Sequence, residues 1–136
     1  MELTDGYQTL ISFAAKTTVL FKEISVTPPG IDGGGEIDIT TMHNATWRTR
    51  NPKALVTLTN AKTTVAYDPA VYDDILELVN INTEITITFP DATTLVFWGW
   101  LNTFTPGDNT EGERPTAEIE IIPSNANASG VETGPV

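Results

Sequence analysis

The sequence predicts a mainly β protein, a β-sandwich or barrel of about seven antiparallel strands with one short flanking helix. Three observations carry this prediction. Thr, Val and Ile dominate the middle of the chain, and apolar residues recur there at every second position. Turn-forming Pro, Gly, Asn and Asp interrupt this alternation at short intervals. One segment alone has helical spacing, and 136 residues without cysteine make one domain that needs no disulfides.

The alternation predicts the strands in order. They cover residues 17–26, 35–41, 54–59, 63–67, 84–89, 94–104 and 116–122. The motif Phe89-Pro90-Asp91-Ala92 separates the fifth strand from the sixth. Proline has a fixed φ that suits the second position of a type I turn. These two strands are therefore predicted to form an antiparallel hairpin.

The helix is predicted over residues 68–80. Asp68 is suited to the N-cap and Pro69 to the first helical position. Apolar residues follow at helical spacing: Val71, Ile75, Leu78 and Val79. The adjacent carboxylates Asp73 and Asp74 lie in the first turns, where the helix dipole favours negative charge. They are interpreted as helix-stabilising residues and not as a catalytic pair.

Three segments are predicted to lie outside the core. Residues 1–15 and 124–136 have loose periodicity or small, polar composition, and are expected to be arms that become ordered against a neighbour. Residues 42–53 form an irregular, projecting loop. The triglycine at 33–35 lacks the Lys-Ser/Thr ending of a phosphate loop and precedes a strand. A flexible hinge is the favoured interpretation of this run.

The composition argues against several functions. The chain has 18 acidic and seven basic residues, a net charge of −11, which disfavours adhesion to nucleic acid. It has no cysteine, a single histidine (His43) and no Gly-x-Ser-x-Gly nucleophile motif. No apolar run is long enough to span a bilayer. We therefore predict no enzymatic activity, no cofactor, no metal site and no membrane contact.

Trp98 and Trp100 form the most conspicuous aromatic cluster. Alternation places both indoles on one face of a strand, whereas Phe97, Gly99 and Leu101 take the other. The tryptophans are predicted to be buried or to contact another subunit. The alternative is an exposed platform of a carbohydrate- or surface-binding module. Gly99, between large residues, predicts a bulge or a close backbone approach.

Charges are segregated along the chain. No acidic residue occurs between Asp38 and Asp68, whereas four basic residues do: Arg48, Arg50, Lys53 and Lys62. A basic loop on an acidic body favours head-to-tail association, in which one surface meets a different surface of the next copy. The alternative is a solvated loop with no such role.

Acidic residues alternate with isoleucine in three predicted strands, namely Glu36-Ile37-Asp38-Ile39, Glu84-Ile85-Thr86-Ile87 and Glu118-Ile119-Glu120-Ile121. Such a strand has one core face and one acidic face. In a monomer the acidic face is simply hydrated. In a closed ring it would line a channel whose negative wall repels DNA. The candidate residues for that wall are Glu36, Asp38, Glu118 and Glu120.

Taken in order, these motifs resemble the tail tube (major tail) proteins of bacteriophages with long non-contractile tails, and the tubes of gene transfer agents. The resemblance covers about the whole chain. It rests on the order of an opening arm, Val26-Thr27-Pro28, a Gly-rich turn, residues 36–41, Ala45-Thr46-Trp47-Arg48, a short helix, residues 85–90, 97–101 and 115–121.

The resemblance implies a structural virion protein, with hexameric rings stacked head-to-tail into a hollow tail tube through which DNA passes during ejection. The basic residues Arg48, Arg50 and Lys53 would then contact the next ring. The implied partners are further copies of the chain and the tail tip or baseplate, tape-measure and tail terminator proteins. The implied location is the virion tail, and the host cytoplasm during assembly. The family supplies no catalytic residues.

Overall fold

The computed structural model describes residues 9–15, 23–67 and 72–136. The prediction of a mainly β fold with one short helix is confirmed. The described strands are β1 Leu10–Phe13, β2 Glu23–Thr27, β3 Ile31–Asp32, β4 Glu36–Asp38, β5 Arg50–Pro52, β6 Thr57–Leu58, β7 Ala61–Ala66, β8 Thr83–Thr88, β9 Thr94–Pro106 and β10 Thr116–Pro123. The helix α1 spans Tyr72–Leu78.

Six of these strands form one antiparallel sheet in the order β1-β8-β9-β10-β7-β2. The sheet curls until its edge strands β1 and β2 touch. There the Ile11 N–H donates a 3.1 Å hydrogen bond to the Glu23 carboxylate. No ladder joins the two edges, so the described strands form a curled sheet and not a closed barrel.

The hydrophobic core lies on the concave side of the curled sheet. Strands β8 and β10 bury every second residue, as the alternating pattern predicts. The largest fully buried side chains are Phe13, Val65, Leu78, Ile85, Ile87, Phe97, Leu101 and Ile121. Each such side chain contributes roughly 1.5–3 kcal/mol by leaving water. The core therefore contains side chains from all three described segments, 9–15, 23–67 and 72–136.

The hairpin between β8 and β9 is confirmed. Ile85 pairs with Phe97 in the ladder. The Ala92 N–H donates to the Phe89 carbonyl at 3.0 Å, closing the predicted turn. Asp91 accepts hydrogen bonds from the Thr93 backbone and hydroxyl, and these bonds lower the pKa of its carboxyl group.

Helix α1 packs on the core side of the sheet. Ile75 and Leu78 are buried there, whereas Leu76 is exposed. Directly after the helix, the Asn80 N–H donates to the Leu101 carbonyl at 3.1 Å. Within the described residues, the predicted helix over residues 68–80 is observed at Tyr72–Leu78. The proposed N-cap Asp68, Pro69 and Val71 lie outside the described residues.

Both predicted arms contain residues that are part of the folded body. Residues 9–15 are the described part of the first arm, and within them β1 buries Ile11 and Phe13. At the other end, Val136 exchanges two backbone hydrogen bonds with Val96 of β9, at 2.9 and 3.1 Å. The Thr133 N–H donates to the Asn125 carbonyl. Composition alone missed both attachments, because short paired segments need little apolar periodicity.

Residues 31–58 form one long hairpin, which we call the hairpin arm. Its base is the β3–β6 ladder, and its outer part is the β4–β5 ladder. The run at 33–35 separates the two ladders. Gly34 and Gly35 have φ of 82° and 94° there, a conformation that glycine adopts without steric cost. The triglycine is therefore explained as the junction between the two ladders.

Candidate functional site

The outer part of the hairpin arm is held by its own polar side chains. The Asn44 amide donates to the Trp47 carbonyl at 2.7 Å, and its oxygen accepts from the Thr41 N–H at 3.1 Å. The Thr49 N–H donates to the Thr40 hydroxyl at 2.9 Å. These bonds fix the backbone on both sides of Trp47. The tip of the arm is therefore a defined structure that can present a side chain.

Two of the three basic residues of the predicted loop form ion pairs with acidic residues of the same arm. Arg50 lies 2.9 Å from Glu36, and Arg48 lies 3.5 Å from Asp38. All four side chains are more than half exposed, so each pair is worth only about 0–1 kcal/mol. The acidic and basic residues of these pairs are separated along the sequence. Their pairing becomes evident only in the structure, where β4 and β5 lie side by side. Lys53 has no ion-pair partner among the described residues.

Asp38 accepts further hydrogen bonds at the same place. The Thr40 N–H lies 2.9 Å from its carboxylate. Hydrogen bonds from the Thr40 side chain and backbone, and then the charge of Arg50, lower the pKa of the Asp38 carboxyl group. The charged form of Asp38 is therefore the form that this end of the arm stabilises.

The hairpin arm exposes an unusual amount of apolar surface. It carries half of the exposed large hydrophobic side chains of the described residues: Ile31, Ile37, Ile39, Met42, Trp47, Leu55 and Val56. Trp47 and Leu55 are each 81% exposed. Clustered exposed apolar side chains mark interaction surfaces in soluble proteins. Sequence reasoning missed this cluster, because Ile37 and Ile39 have the spacing of core residues.

The isoleucines that alternate with acidic residues are buried in some strands and exposed in others. In β8 and β10 the isoleucines are buried, as predicted. In the hairpin arm, Ile37 and Ile39 are 49% and 45% exposed, so the prediction that they face a core is wrong. A two-stranded ladder covers neither of its own faces. Glu36 and Asp38 consequently lie on a separate element from Glu118 and Glu120.

Glu118 and Glu120 lie on the solvent face of the six-stranded sheet, which we call the polar sheet face. In the ladder between β10 and β7, Glu118 lies opposite Thr64 and Glu120 lies opposite Lys62. The face encloses a shallow depression of about 290 Å³, whose polar side chains are Ser25, Thr27, Lys62, Thr64, Thr103, Thr105, Glu118 and Glu120. The Asn60 amide donates to Glu120 at 3.1 Å. Lys62 offsets part of the negative charge that sequence reasoning assigned to this face.

Trp98 and Trp100 share one face of β9 and are half-buried, while Phe97 and Leu101 are fully buried on the other face. The predicted alternation is thus confirmed. A Cβ atom at Gly99 would lie 2.5 Å from the Ile122 carbonyl oxygen. The predicted close backbone approach is confirmed as well, since only glycine fits against β10 at this point.

Neither a metal centre nor a membrane span emerges from the described part of the chain. No group of three or more His, Asp or Glu side chains there is arranged to hold a metal ion. None of its helices has the length and apolarity required to cross a bilayer. Two surfaces stand out in the described structure: the hairpin arm and the polar sheet face.

The same fold occurs in solved structures of tail particles. The virion of a native gene transfer agent particle contains a chain with a TM-score of 0.69 and 12% identity, covering 91% of this chain and 96% of that chain. The tail of an empty gene transfer agent particle, with C6 symmetry, gives a TM-score of 0.68 and 11% identity over 91% and 96%. The chain has a tail-protein fold.

A third structure extends this result. The six-fold symmetrised baseplate of the anti-feeding prophage matches with a TM-score of 0.66 and 8% identity, over 91% of this chain and 93% of that chain. No family model matches the chain, and no curated protein matches its sequence. The order of motifs predicts a tail-protein fold. The presence of the same fold in these three structures confirms that prediction.

Proposed function

We propose that the chain is a structural tail protein, whose copies form hexameric rings that stack into a hollow tube for the passage of DNA during ejection. The observation that carries this proposal is the hairpin arm, which is structured at its tip yet leaves its apolar side chains uncovered. An apolar surface of this kind is expected to be buried against another molecule. The tail-protein fold, found in particles with six-fold symmetry, favours a second copy as that molecule.

The first test is the oligomeric state of the purified chain. Negative-stain microscopy and sedimentation velocity are expected to find six-fold rings or tubes at high protein concentration. A purified chain that stays monomeric at all protein concentrations would contradict the proposal. The proposed location is the virion tail, after assembly in the host cytoplasm, and the tail tip or baseplate, tape-measure and tail terminator proteins are the proposed partners.

Within the tube, we assign the contact between stacked rings to Arg48, Arg50 and Lys53. Because Arg48 and Arg50 are paired with Asp38 and Glu36, reversing the arginines alone would also disturb the arm. A four-residue exchange keeps both ion pairs, although it removes the Asp38 acceptor of the Thr40 N–H: Arg48→Glu and Arg50→Glu combined with Glu36→Arg and Asp38→Arg. The exchanged arm keeps its internal pairs but presents reversed charges at each position to the next ring.

The exchanged variant is expected to remain folded and to stop polymerising. Each exposed pair contributes only about 0–1 kcal/mol, so the effect depends on repetition around a ring. Circular dichroism would check the fold, and microscopy would check the tubes. Tubes formed as readily as by the wild type would contradict the electrostatic assignment while leaving the tube itself intact.

We assign the lumen wall to the polar sheet face, through Glu118 and Glu120. Glu36 and Asp38 are left out of the wall, since they lie on the hairpin arm and pair with arginines there. The hydroxyl groups of this face are uncharged, and its two carboxylates exceed its one lysine. Such a wall offers phosphates few cations to bind, so DNA passes without adhering.

The absence of cysteine from the chain permits a direct test of this wall. Glu118→Cys places a thiol on the polar sheet face. Leu76→Cys places one on the exposed side of helix α1, across the sheet. In assembled tubes, a small maleimide is expected to label both thiols, whereas a maleimide attached to a large polymer reaches only Cys at position 76. Labelling of position 118 by the large reagent would contradict the wall.

A further inference from the structure

A groove lies between the base of the hairpin arm and the C-terminal segment. It has a volume of about 180 Å³ and is lined mainly by Ile31, Val56, Leu58, Asn125, Glu132 and Pro135. Ile31 and Val56 remain largely exposed at this groove. An apolar cavity of about 150 Å³ is large enough to bind benzene. The groove is therefore of the size that accepts one aromatic side chain.

One residue that lines the groove, Asn125, carries a hydrogen-bond acceptor without a donor. The side-chain Oδ1 of Asn125 is buried and unpaired among the described residues. The backbone of Asn125 is fixed, because its N–H donates to the Trp98 carbonyl and its own carbonyl accepts from Thr133. Buried polar atoms in native structures are nearly always hydrogen-bonded. A turn of the Asn125 amide toward the groove would let an occupant that brings an N–H or O–H group satisfy this oxygen.

Trp47 at the tip of the hairpin arm has the matching chemistry. Its side chain is 81% exposed and therefore does not occupy the groove of its own chain. The indole is a large apolar ring with one N–H donor and no acceptor. Met42, the other large apolar side chain exposed at the tip, has no such donor. Arg48 follows Trp47, and Glu132 lines the groove, so the charges also match in sign.

We propose that Trp47 of one copy inserts into this groove of a neighbouring copy, where the indole N–H donates to the Asn125 side chain and Arg48 lies beside Glu132. The inference rests on the proposed self-assembly and names the contact that drives it. The two surfaces differ, so the contact is heterologous. Repetition of such a contact gives closed rings or open stacks, according to the rotation between copies.

The test compares Trp47→Ala with Leu76→Ala. Both side chains are exposed, but Leu76 lies on helix α1, outside the hairpin arm and the groove. Trp47→Ala is expected to abolish assembly, and Leu76→Ala to preserve it. Trp47→Phe keeps a ring but loses the N–H, so the concentration needed for assembly should rise about five- to tenfold. Assembly of Trp47→Ala at the wild-type concentration overturns the inference.

The Asn125 side of the contact is tested by Asn125→Gly. Asn125 has φ of 52°, a conformation that glycine tolerates, so this variant removes the acceptor without straining the backbone. The losses from Trp47→Phe and Asn125→Gly should not add in the double variant, since both remove the same bond. Additive losses contradict the hydrogen bond. Thermal unfolding of each variant verifies that it is folded.

Cysteine cross-linking gives a positive readout of the same contact. Arg48→Cys and Glu132→Cys are made in separate chains that both keep Trp47, and the two proteins are mixed and oxidised. A covalent dimer is expected in the mixture and not in either protein alone. If the mixture assembles but forms no such dimer, the insertion of Trp47 into the groove is overturned, while the proposed function stands. A wild-type chain that never assembles instead contradicts the proposed function.

Discussion

Two buried threonines differ in whether their hydroxyl groups are hydrogen-bonded. Thr63 in β7 is 4% exposed, and its Oγ1 has no partner among the described residues. Thr83 in β8 is as deeply buried, but its Oγ1 accepts from the Ala15 N–H at 2.9 Å. Burial of an unpaired hydroxyl is unfavourable, whereas burial of a paired one is not. The two positions therefore form a natural pair for comparison.

We predict that Thr63→Val stabilises the protein by about 1 kcal/mol, because valine has the same shape and no unpaired hydroxyl. Thr83→Val should destabilise it by about 1–3 kcal/mol, since the Ala15 N–H loses its acceptor. Urea unfolding of both variants measures the free energies. A loss of stability in Thr63→Val would mean that its hydroxyl is hydrogen-bonded after all.

Gly99 is required by the spacing between β9 and β10. A Cβ there would lie 2.5 Å from the Ile122 carbonyl oxygen and 3.0 Å from the Pro123 Cα, and both of these atoms belong to the β10 backbone. We predict that Gly99→Ala destabilises the fold by roughly 1–3 kcal/mol through overpacking. Gly33→Ala is the matched control, because nothing lies within 4 Å of its Cβ position. Equal melting temperatures of the two variants would contradict this account.

At the scale of the element, the outer hairpin should respond to acid through Asp38. Its folded pKa is lowered, first by the hydrogen bonds from Thr40 and then by Arg50. A lowered pKa means that the contribution to stability is complete above the ordinary value of about 3.9 and is lost as the pH falls through the folded pKa. Arg48 also faces this carboxylate, at 3.5 Å.

We predict that the Asp38 carboxyl group titrates below about pH 3.9 and that the Thr40 amide resonance moves with the same midpoint. Nuclear magnetic resonance titration measures both. In Asp38→Asn the Thr40 amide should lose this response. A midpoint at or above the ordinary value in the wild type would show that the hydrogen bonds do not hold the charged form.

The elements differ in how far the sequence could predict them. Strands β8, β9 and β10 combine alternation with a recognisable turn and a buried face, so periodicity was sufficient. Strands β3 and β5 are two and three residues long and bury nothing. Their existence depends on pairing within the arm, which leaves no periodic trace. The ion pairs of Arg48 and Arg50 were missed for the same reason, because their acidic partners lie across a ladder.

At the scale of the whole molecule, one side chain connects the two edges of the curled sheet. The Ile11 N–H of β1 donates to the Glu23 carboxylate of β2 at 3.1 Å. We predict that Glu23→Ala destabilises the fold by about 1–3 kcal/mol, because the amide of a buried residue loses its acceptor. Glu23→Gln keeps an acceptor and should lose less. Hydrogen exchange at Ile11 measures the effect locally, and unchanged protection in Glu23→Ala would contradict it.

The exposed apolar side chains of the hairpin arm have a consequence for temperature. Their burial between copies would give association a negative heat-capacity change, the usual mark of apolar contact. Apolar attraction weakens on cooling. The proposed tubes, where the arm holds them together, should therefore come apart in the cold and re-form on warming.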